Sequence, residues 1–310
     1  MNYGELLGEA FRIAWRTRYL WFFGLFISGG ETSLNISVPP NPAGTNPEGL
    51  PTWLIGLGQW ARENVALALI LGIGMLLVLL LVFLGFWIIS AGGLAETVSA
   101  LHRGERRSFA STWRAGVRNF WRVFLYLVLL CLIWLVPLAL IGSLAALGIF
   151  GIVSAGSELL RVLFISLIIP AAFALLLVVS VPLYLVQQLA LRELVIGGRG
   201  LVASVGSGYR MFRHNLGRTI LVWLIQFGIA LAVVITLSIV GSIIGIAQAV
   251  GFLALSGAAP YPLVVGLAIG AGLIVSLPLI VLWAAFGVFN HAYWTLAYLR
   301  LTAQPTPSPG

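Results

Sequence analysis

VALALILGIGMLLVLLLVFLGFWIISAGGL (65–94) runs straight into AETVSALHRGERRSFASTWRAGVRNFWR (95–122). The first string has no charge in thirty residues, well beyond the ~20 apolar residues that carry a helix across a bilayer. The second holds six arginines: Arg103, Arg106, Arg107, Arg114, Arg118 and Arg122. The same alternation organises the whole chain. Apolar runs occupy 19–30, 65–94, 123–148, 162–191, 219–250 and 263–298. Arginines gather at Arg12, Arg16 and Arg18, in the 96–122 connection, in the 192–218 connection and at Arg300. The opposite connections hold only Arg62 and Arg161. Positive charge in short loops stays on the cytoplasmic side. The expected fold is therefore an all-α integral membrane protein with six transmembrane helices and both termini cytoplasmic.

Composition agrees. Sixty per cent hydrophobic residues, eight per cent charged residues and a mean hydropathy of +1.06 exclude a water-soluble domain. The net charge of +8 could suggest nucleic acid, but the arginines flank membrane spans. Anionic lipid headgroups on the cytoplasmic side are the simpler partner, and no nucleic acid is expected. Cys131 is the sole cysteine and lies in the third run, so neither an intramolecular disulfide nor a cysteine-rich metal site is available.

The run 19–30 is short for a crossing, and a re-entrant hairpin or a signal-peptide core are its rivals. Glu5 and Glu9 precede it and no small-x-small cleavage site is convincing. A hairpin would invert every later loop and place the Arg-rich connections outside. Helix borrowed from Trp15 onward, with Arg16 and Arg18 reaching back to the headgroups, gives the needed length. The run is therefore expected to cross. The Pro-rich segment 31–64 should be an irregular external loop containing a short apolar piece, 53–60. Asn35-Ile36-Ser37 within it is formally a glycosylation sequon. The chain divides into one membrane domain, 1–303, and a disordered Pro-rich tail, 304–310.

Three units of similar plan are visible: 1–95, 96–192 and 193–303. Phe11-x3-Trp15-Arg16 recurs as Phe109-x3-Trp113-Arg114. Arg103, Gly104, Arg114, Asn119 and Arg122 recur 96 residues later as Arg199, Gly200, Arg210, Asn215 and Arg218. Each unit would be a basic amphipathic helix followed by two spans, the parallel-repeat plan of some transporters. Chance likeness between Arg- and aromatic-rich loops is the alternative.

At 100° per residue Phe109, Trp113, Val117 and Phe120 share one face and Arg107, Arg114, Arg118 and Arg122 the opposite one. Val202, Val205, Tyr209, Phe212 and Leu216 form the corresponding stripe near Arg210, Arg213 and Arg218. In the first unit Leu7, Phe11, Ala14 and Trp15 oppose Glu5, Glu9, Arg12 and Arg16. These helices should lie in the interface, aromatics in the acyl boundary and Arg107, Arg114, Arg118, Arg122, Arg210, Arg213 and Arg218 at lipid phosphates. The apolar stripes could equally pack on the protein's own spans, and mixed packing is expected.

Chemistry is restricted by what the chain lacks. It contains no aspartate and no lysine, which removes Asp-based metal clamps, the Walker lysine and Schiff-base chemistry. There is no HExxH and no paired CxxC, so no metal and no cofactor are expected. Ser207 in Gly206-Ser207-Gly208 could be imagined in a dyad with His291, but one belongs to a basic connection and the other to a span. Close packing or a turn is the better reading of that Gly-Ser-Gly. His102 with Glu105 is at most a two-ligand cluster. Near-central ionisable groups are scarce, which argues against ion-coupled transport. The neutral polar groups Gln187, Gln188, Gln226 and Asn290, with His291, form either an interhelical hydrogen-bond cluster or a ligand site. Gln226 and His291 fall at similar depth, which predicts that they face each other. Pro137, Pro170, Pro182 and Pro278 should kink their helices. Gly241-Ser242-x2-Gly245 and Gly266-x3-Gly270 suggest close helix approach.

The opening Phe11-x3-Trp15-Arg16 with Leu20-Trp21-x-Phe23-Gly24-Leu25, the basic connections and the closing Tyr298-Leu299-Arg300 resemble a loose group of bacterial polytopic membrane proteins. Some of these are described as similar to the membrane domain of glycerophosphoryl diester phosphodiesterase. Relatives often carry an acidic residue where this chain has Leu299. The resemblance implies a bacterial membrane location, transfers no functional residue and implies no hydrolase activity, since no catalytic domain is attached. Three functions follow from the residues: a non-enzymatic scaffold or accessory protein in contact with anionic lipid, a permease or exporter of a small amphipathic molecule, or a lipid-modifying enzyme. The last would need Glu96, Glu193 or His291 to converge at one inner-leaflet site.

Overall fold

In hydrocarbon the backbone has no water to bond, so an apolar run must close its hydrogen bonds internally as helix. The computed structural model, which describes residues 2–28, 52–154, 156–256 and 261–303, follows that rule. Its helices are α1 (Tyr3–Arg16), α2 (Trp21–Ser28), α3 (Thr52–Glu63), α4 (Val65–His102), α5 (Phe109–Arg118), α6 (Phe120–Ser154), α7 (Glu158–Val195), α8 (Leu201–His214), α9 (Leu216–Ser256) and α10 (Tyr261–Thr302). A single 3-10 turn, Arg18–Leu20, joins α1 to α2. Five helices are long and apolar enough to cross a membrane: Val65–His102, Phe120–Ser154, Glu158–Val195, Leu216–Gly251 and Gly270–Thr302. The chain is a multi-pass membrane protein. The helices α6, α7 and α10 continue through Pro137, Pro170, Pro182 and Pro278 without a break. The apolar piece 53–60 is part of α3. The irregular loop expected before it, with the Asn35 sequon, lies outside the described residues, as does the tail 304–310.

Two compact units divide the chain. The first comprises Met1–Ala10, Ala91–Ile225 and His291–Gly310. Its core is built from the arginine-side ends of the long helices: Leu94 and Val98 of α4, Val123 of α6, Leu185 and Leu189 of α7, and Trp294 and Leu296 of α10 are all buried. Toward the other end, α6 and α7 form a hairpin in which Gly148 and Gly151 lie against Ile168 and Phe164.

The second unit comprises Phe11–Ser90 and Gln226–Asn290. Here α2 is wedged among longer helices. A Cβ at Gly24 would lie 2.1 Å from the Ala284 carbonyl oxygen, and one at Gly287 would meet the Gly24 carbonyl at 2.7 Å. Trp283 Nε1 donates to the Ser28 carbonyl at 2.7 Å. On α4, Phe86 stacks on Phe26 with ring centroids 4.6 Å apart. Trp21 Nε1 donates to the Ala14 carbonyl, pinning the α1–α2 corner. The far half of α4 is different in character: Leu69, Ile70, Leu76 and Leu80 are exposed, as suits a surface solvated by acyl chains.

One expectation needs correction. The glycines at 241, 245, 266 and 270 have open space around them; the close approaches are at Gly24, Gly92, Gly93, Gly148, Gly151, Gly208 and Gly287. The amphipathic helices pack partly through their apolar stripes, with Ala14 and Phe212 buried, and partly through small residues. Thr112, Ala115 and Gly116 are the buried residues of α5, and Ser204, Ser207, Gly208 and Phe212 those of α8. In α1 the buried residues are Leu6, Ala10 and Ala14, while Phe11 and Trp15 are exposed and stacked on each other. Small residues win these contacts because they let two helix backbones come together. The large apolar side chains Phe109, Val117, Val202 and Tyr209 are left exposed.

Candidate functional site

The polar chemistry of the first unit is concentrated where α7 ends. Leu185 and Leu189 recur four residues apart and set the inward face of α7. Arg192 follows one turn later on that face and is fully buried. Its Nη1 donates to the Gln188 carbonyl at 2.8 Å and to Gln188 Oε1 at 2.5 Å. Its Nε and Nη2 are buried with no hydrogen-bond partner among the described residues. His291 is also buried, and its Nδ1 has no partner among the described residues. Tyr126 donates its hydroxyl to the Gln187 carbonyl at 2.8 Å, and the Tyr184 ring meets Trp294 edge-on. An arginine so placed cannot shed its proton to escape the cost of burial. A buried ion without a counter-charge costs several kcal/mol even after local relaxation.

Glu193, the next residue, points elsewhere and is fully satisfied. Its Oε1 accepts from Arg199 Nε at 2.8 Å and from Ser207 Oγ at 2.9 Å, and its Oε2 accepts from the Tyr298 hydroxyl. The turn that delivers α8 to this point uses Gly198 at φ +66°, a left-handed position that only glycine adopts freely. Gly208 then brings α8 onto α7, since a Cβ there would lie 2.9 Å from the Ala190 nitrogen.

Two further polar clusters hold the same unit. Arg118 Nη2 reaches both oxygens of Glu96, and Asn119 Nδ2 donates to Glu96 Oε2 at 3.1 Å. This pairing raises the Arg118 pKa further above its ordinary value, mainly through the hydrogen bond to Glu96. Beside it Thr97 and Thr112 hydroxyls bond at 3.0 Å, and a Cβ at Gly93 would lie 2.7 Å from the Thr112 carbonyl oxygen. At the chain ends, Glu9 pairs with His102 at 2.5 Å and with Arg300 at 3.0 Å, and Arg300 Nη1 donates to the Asn2 carbonyl.

Gln188 binds Arg192 Nη1 through its carbonyl and its side chain, Gln187 contributes its carbonyl to Tyr126, and His291 is buried in the same unit. Gln226 and Asn290 belong to the second unit; Gln226 is buried, and Asn290 is half-buried with an Oδ1 lacking a partner among the described residues. Ser207 bonds Glu193 and Arg199 and makes no dyad with His291. His102 pairs with Glu9, while Glu105 binds Arg103 and Arg107. Of the arginines assigned to lipid phosphates, Arg114, Arg122, Arg210, Arg213 and Arg218 are exposed, Arg118 is exposed but bound to Glu96, and Arg107 is half-buried against Glu105. Arg192 is the residue that sequence reasoning misplaced. It was grouped with the surface arginines of the 192–218 connection, whereas it is interior. The available signal was Gln188 one turn earlier on the Leu185–Leu189 face.

No curated protein and no solved structure matches the chain. Residues 14–303 match the model of a family of unknown function, DUF7544. That match spans nearly the entire polar layer and every long helix, so the protein belongs to this family.

Proposed function

We propose that this protein is a non-enzymatic scaffold or accessory protein of the bacterial inner membrane, held in contact with anionic lipid on its cytoplasmic side. The observation that carries the reading is the division of labour on α5 and α8. Their small residues pack on the protein, which leaves Phe109, Val117, Val202 and Tyr209 exposed beside Arg114, Arg122, Arg210 and Arg213. An exposed aromatic stripe next to exposed guanidinium groups suits the boundary between acyl chains and phosphates. The engagement of Glu96 and Glu193 in separate ion pairs favours this reading over a lipid-modifying enzyme, which would need one of them disengaged.

Six crossings and a cytoplasmic N-terminus belong to the same proposal. Glu9 bonds His102 at the end of α4 and Arg300 at the end of α10, which sets the N-terminus at the arginine-rich ends. Val65, at the other end of α4, is ~56 Å from His102 along the helix at 1.5 Å per residue. This supports a crossing between residues 10 and 65, along α2 where it packs on α4 and α10. The repeat plan draws support from α4–α5 and α7–α8. Each pair turns through a left-handed glycine, Gly104 or Gly198, and closes on a glycine contact, Gly93 or Gly208.

The lipid contact is tested with an Arg114, Arg122, Arg210 and Arg213 to Gln variant in nanodiscs mixing phosphatidylglycerol and phosphatidylcholine. Each charge near an anionic surface contributes ~1 kcal/mol, so enrichment of phosphatidylglycerol around the protein should fall several-fold at low salt. Unchanged enrichment would refute the reading.

A further inference from the structure

We propose that Arg192 is the anion-binding group of an interior site that takes one phosphate oxyanion. The site belongs to the α6–α7–α10 cluster and is distinct from the exposed arginines of α5 and α8. A guanidinium has one edge formed by Nε–H and an Nη–H that point the same way, and this fork matches two oxygens of a phosphate. In Arg192 that is the edge left without a partner, because Gln188 takes Nη1 through both its carbonyl and its side chain. Gln188 thereby acts as a holder that fixes the plane of the group. His291, buried in the same unit, offers a second unpartnered nitrogen, Nδ1.

Among the described residues no carboxylate bonds the free edge of Arg192. Glu193 is committed to Arg199, Ser207 and Tyr298, Glu96 to Arg118 and Asn119, Glu9 to His102 and Arg300, and Glu105 to Arg103 and Arg107. On α7 the two turns before Arg192 bury Leu185 and Leu189 on the same face, so the guanidinium follows an apolar stripe into the interior. A buried cation in such a setting selects an anion whose remainder is also accommodated by apolar surface. A phospholipid headgroup meets that description, and a free phosphate shares its binding chemistry.

The experiment uses the full chain, purified in a mild detergent and compared with Arg192→Met and Arg192→Lys. Native mass spectrometry with added phosphatidylglycerol should show one lipid that survives activation sufficient to strip the remainder from wild type. Occupancy of this adduct should drop at least tenfold in Arg192→Met. Arg192→Lys keeps the charge and loses the fork, so it should bind at least severalfold more weakly, and it preserves the test should the methionine variant fail to fold. Inorganic phosphate is the second probe, read as a thermal shift. A lipid adduct without a phosphate shift supports a headgroup site, and a phosphate shift lost in the Arg192 variants supports a soluble phosphate site. Equal binding by wild type and both folded variants, or no response of wild type to either probe, overturns the proposal.

Discussion

Gly24 is the residue whose identity is dictated most directly by its surroundings. The Ala284 carbonyl oxygen occupies the place where a Cβ would stand, at 2.1 Å, with a Val288 methyl at 2.7 Å. Backbone does not move aside as a flexible side chain does, so Gly24→Ala should destabilise the protein by about 1–3 kcal/mol, as overpacking commonly does. Gly74→Ala meets nothing within 4 Å and should leave the thermal midpoint in detergent unchanged. Equal midpoints for the two variants would contradict the packing described for α2. Glu105 provides a pH test. Hydrogen bonds from Arg103, then Arg107, hold its carboxyl below the ordinary carboxylate range. A depressed value means that the pairing is present above the ordinary pKa and is lost as pH falls through the lowered one. Amide exchange corrected for intrinsic rates at 103–107 should stay constant through the ordinary carboxylate range and rise only at lower pH. Glu105→Gln should abolish that step; a step retained in the variant would assign it to another group. Arg192 shows where residue-level reading of the sequence stops. Surface and interior arginines both occur at the end of an apolar run, and only the helix's rotation against its neighbours separates them.

Among the elements, the long helices were legible because a charge-free run of thirty residues has no alternative but helix in a bilayer. Amphipathic connections were legible too, but their inward face was not. Hydrophobic periodicity marks the aromatic stripe without saying whether it meets lipid or protein, whereas backbone approach brings the small residues into the packing contacts. The same reason explains the glycine motifs at 241–245 and 266–270. Spacing of small residues permits a contact without supplying a partner. The contacts that do form predict an asymmetry within α8. Gly208→Leu should push the helix away from Ala190, and Gly93→Leu should do the same to α5 at Thr112. Both should increase proteolytic cutting in the adjoining connections, 196–200 and 103–108. Gly206→Leu, only two residues from Gly208 and with nothing within 4 Å, should not. Similar cutting in all three variants would contradict the assigned faces.

For the whole molecule the account rests on one claim: the arginine-rich ends of the helices, the N-terminus and the C-terminal end of α10 all face the cytoplasm. Charge asymmetry suggested it, and the Glu9 pairs with His102 and Arg300 join the chain's beginning to that side. Substituted-cysteine labelling in intact cells tests it most directly. In a Cys131→Ser background, single cysteines are placed at the exposed positions Asn2, Ala110, Ala203 and Gly156. An impermeant thiol reagent should label Gly156→Cys in intact cells and the other three only after permeabilisation. Labelling of Ala110→Cys and Ala203→Cys with protection of Gly156→Cys would reverse the orientation, and labelling of Asn2→Cys alongside Gly156→Cys would remove the sixth crossing.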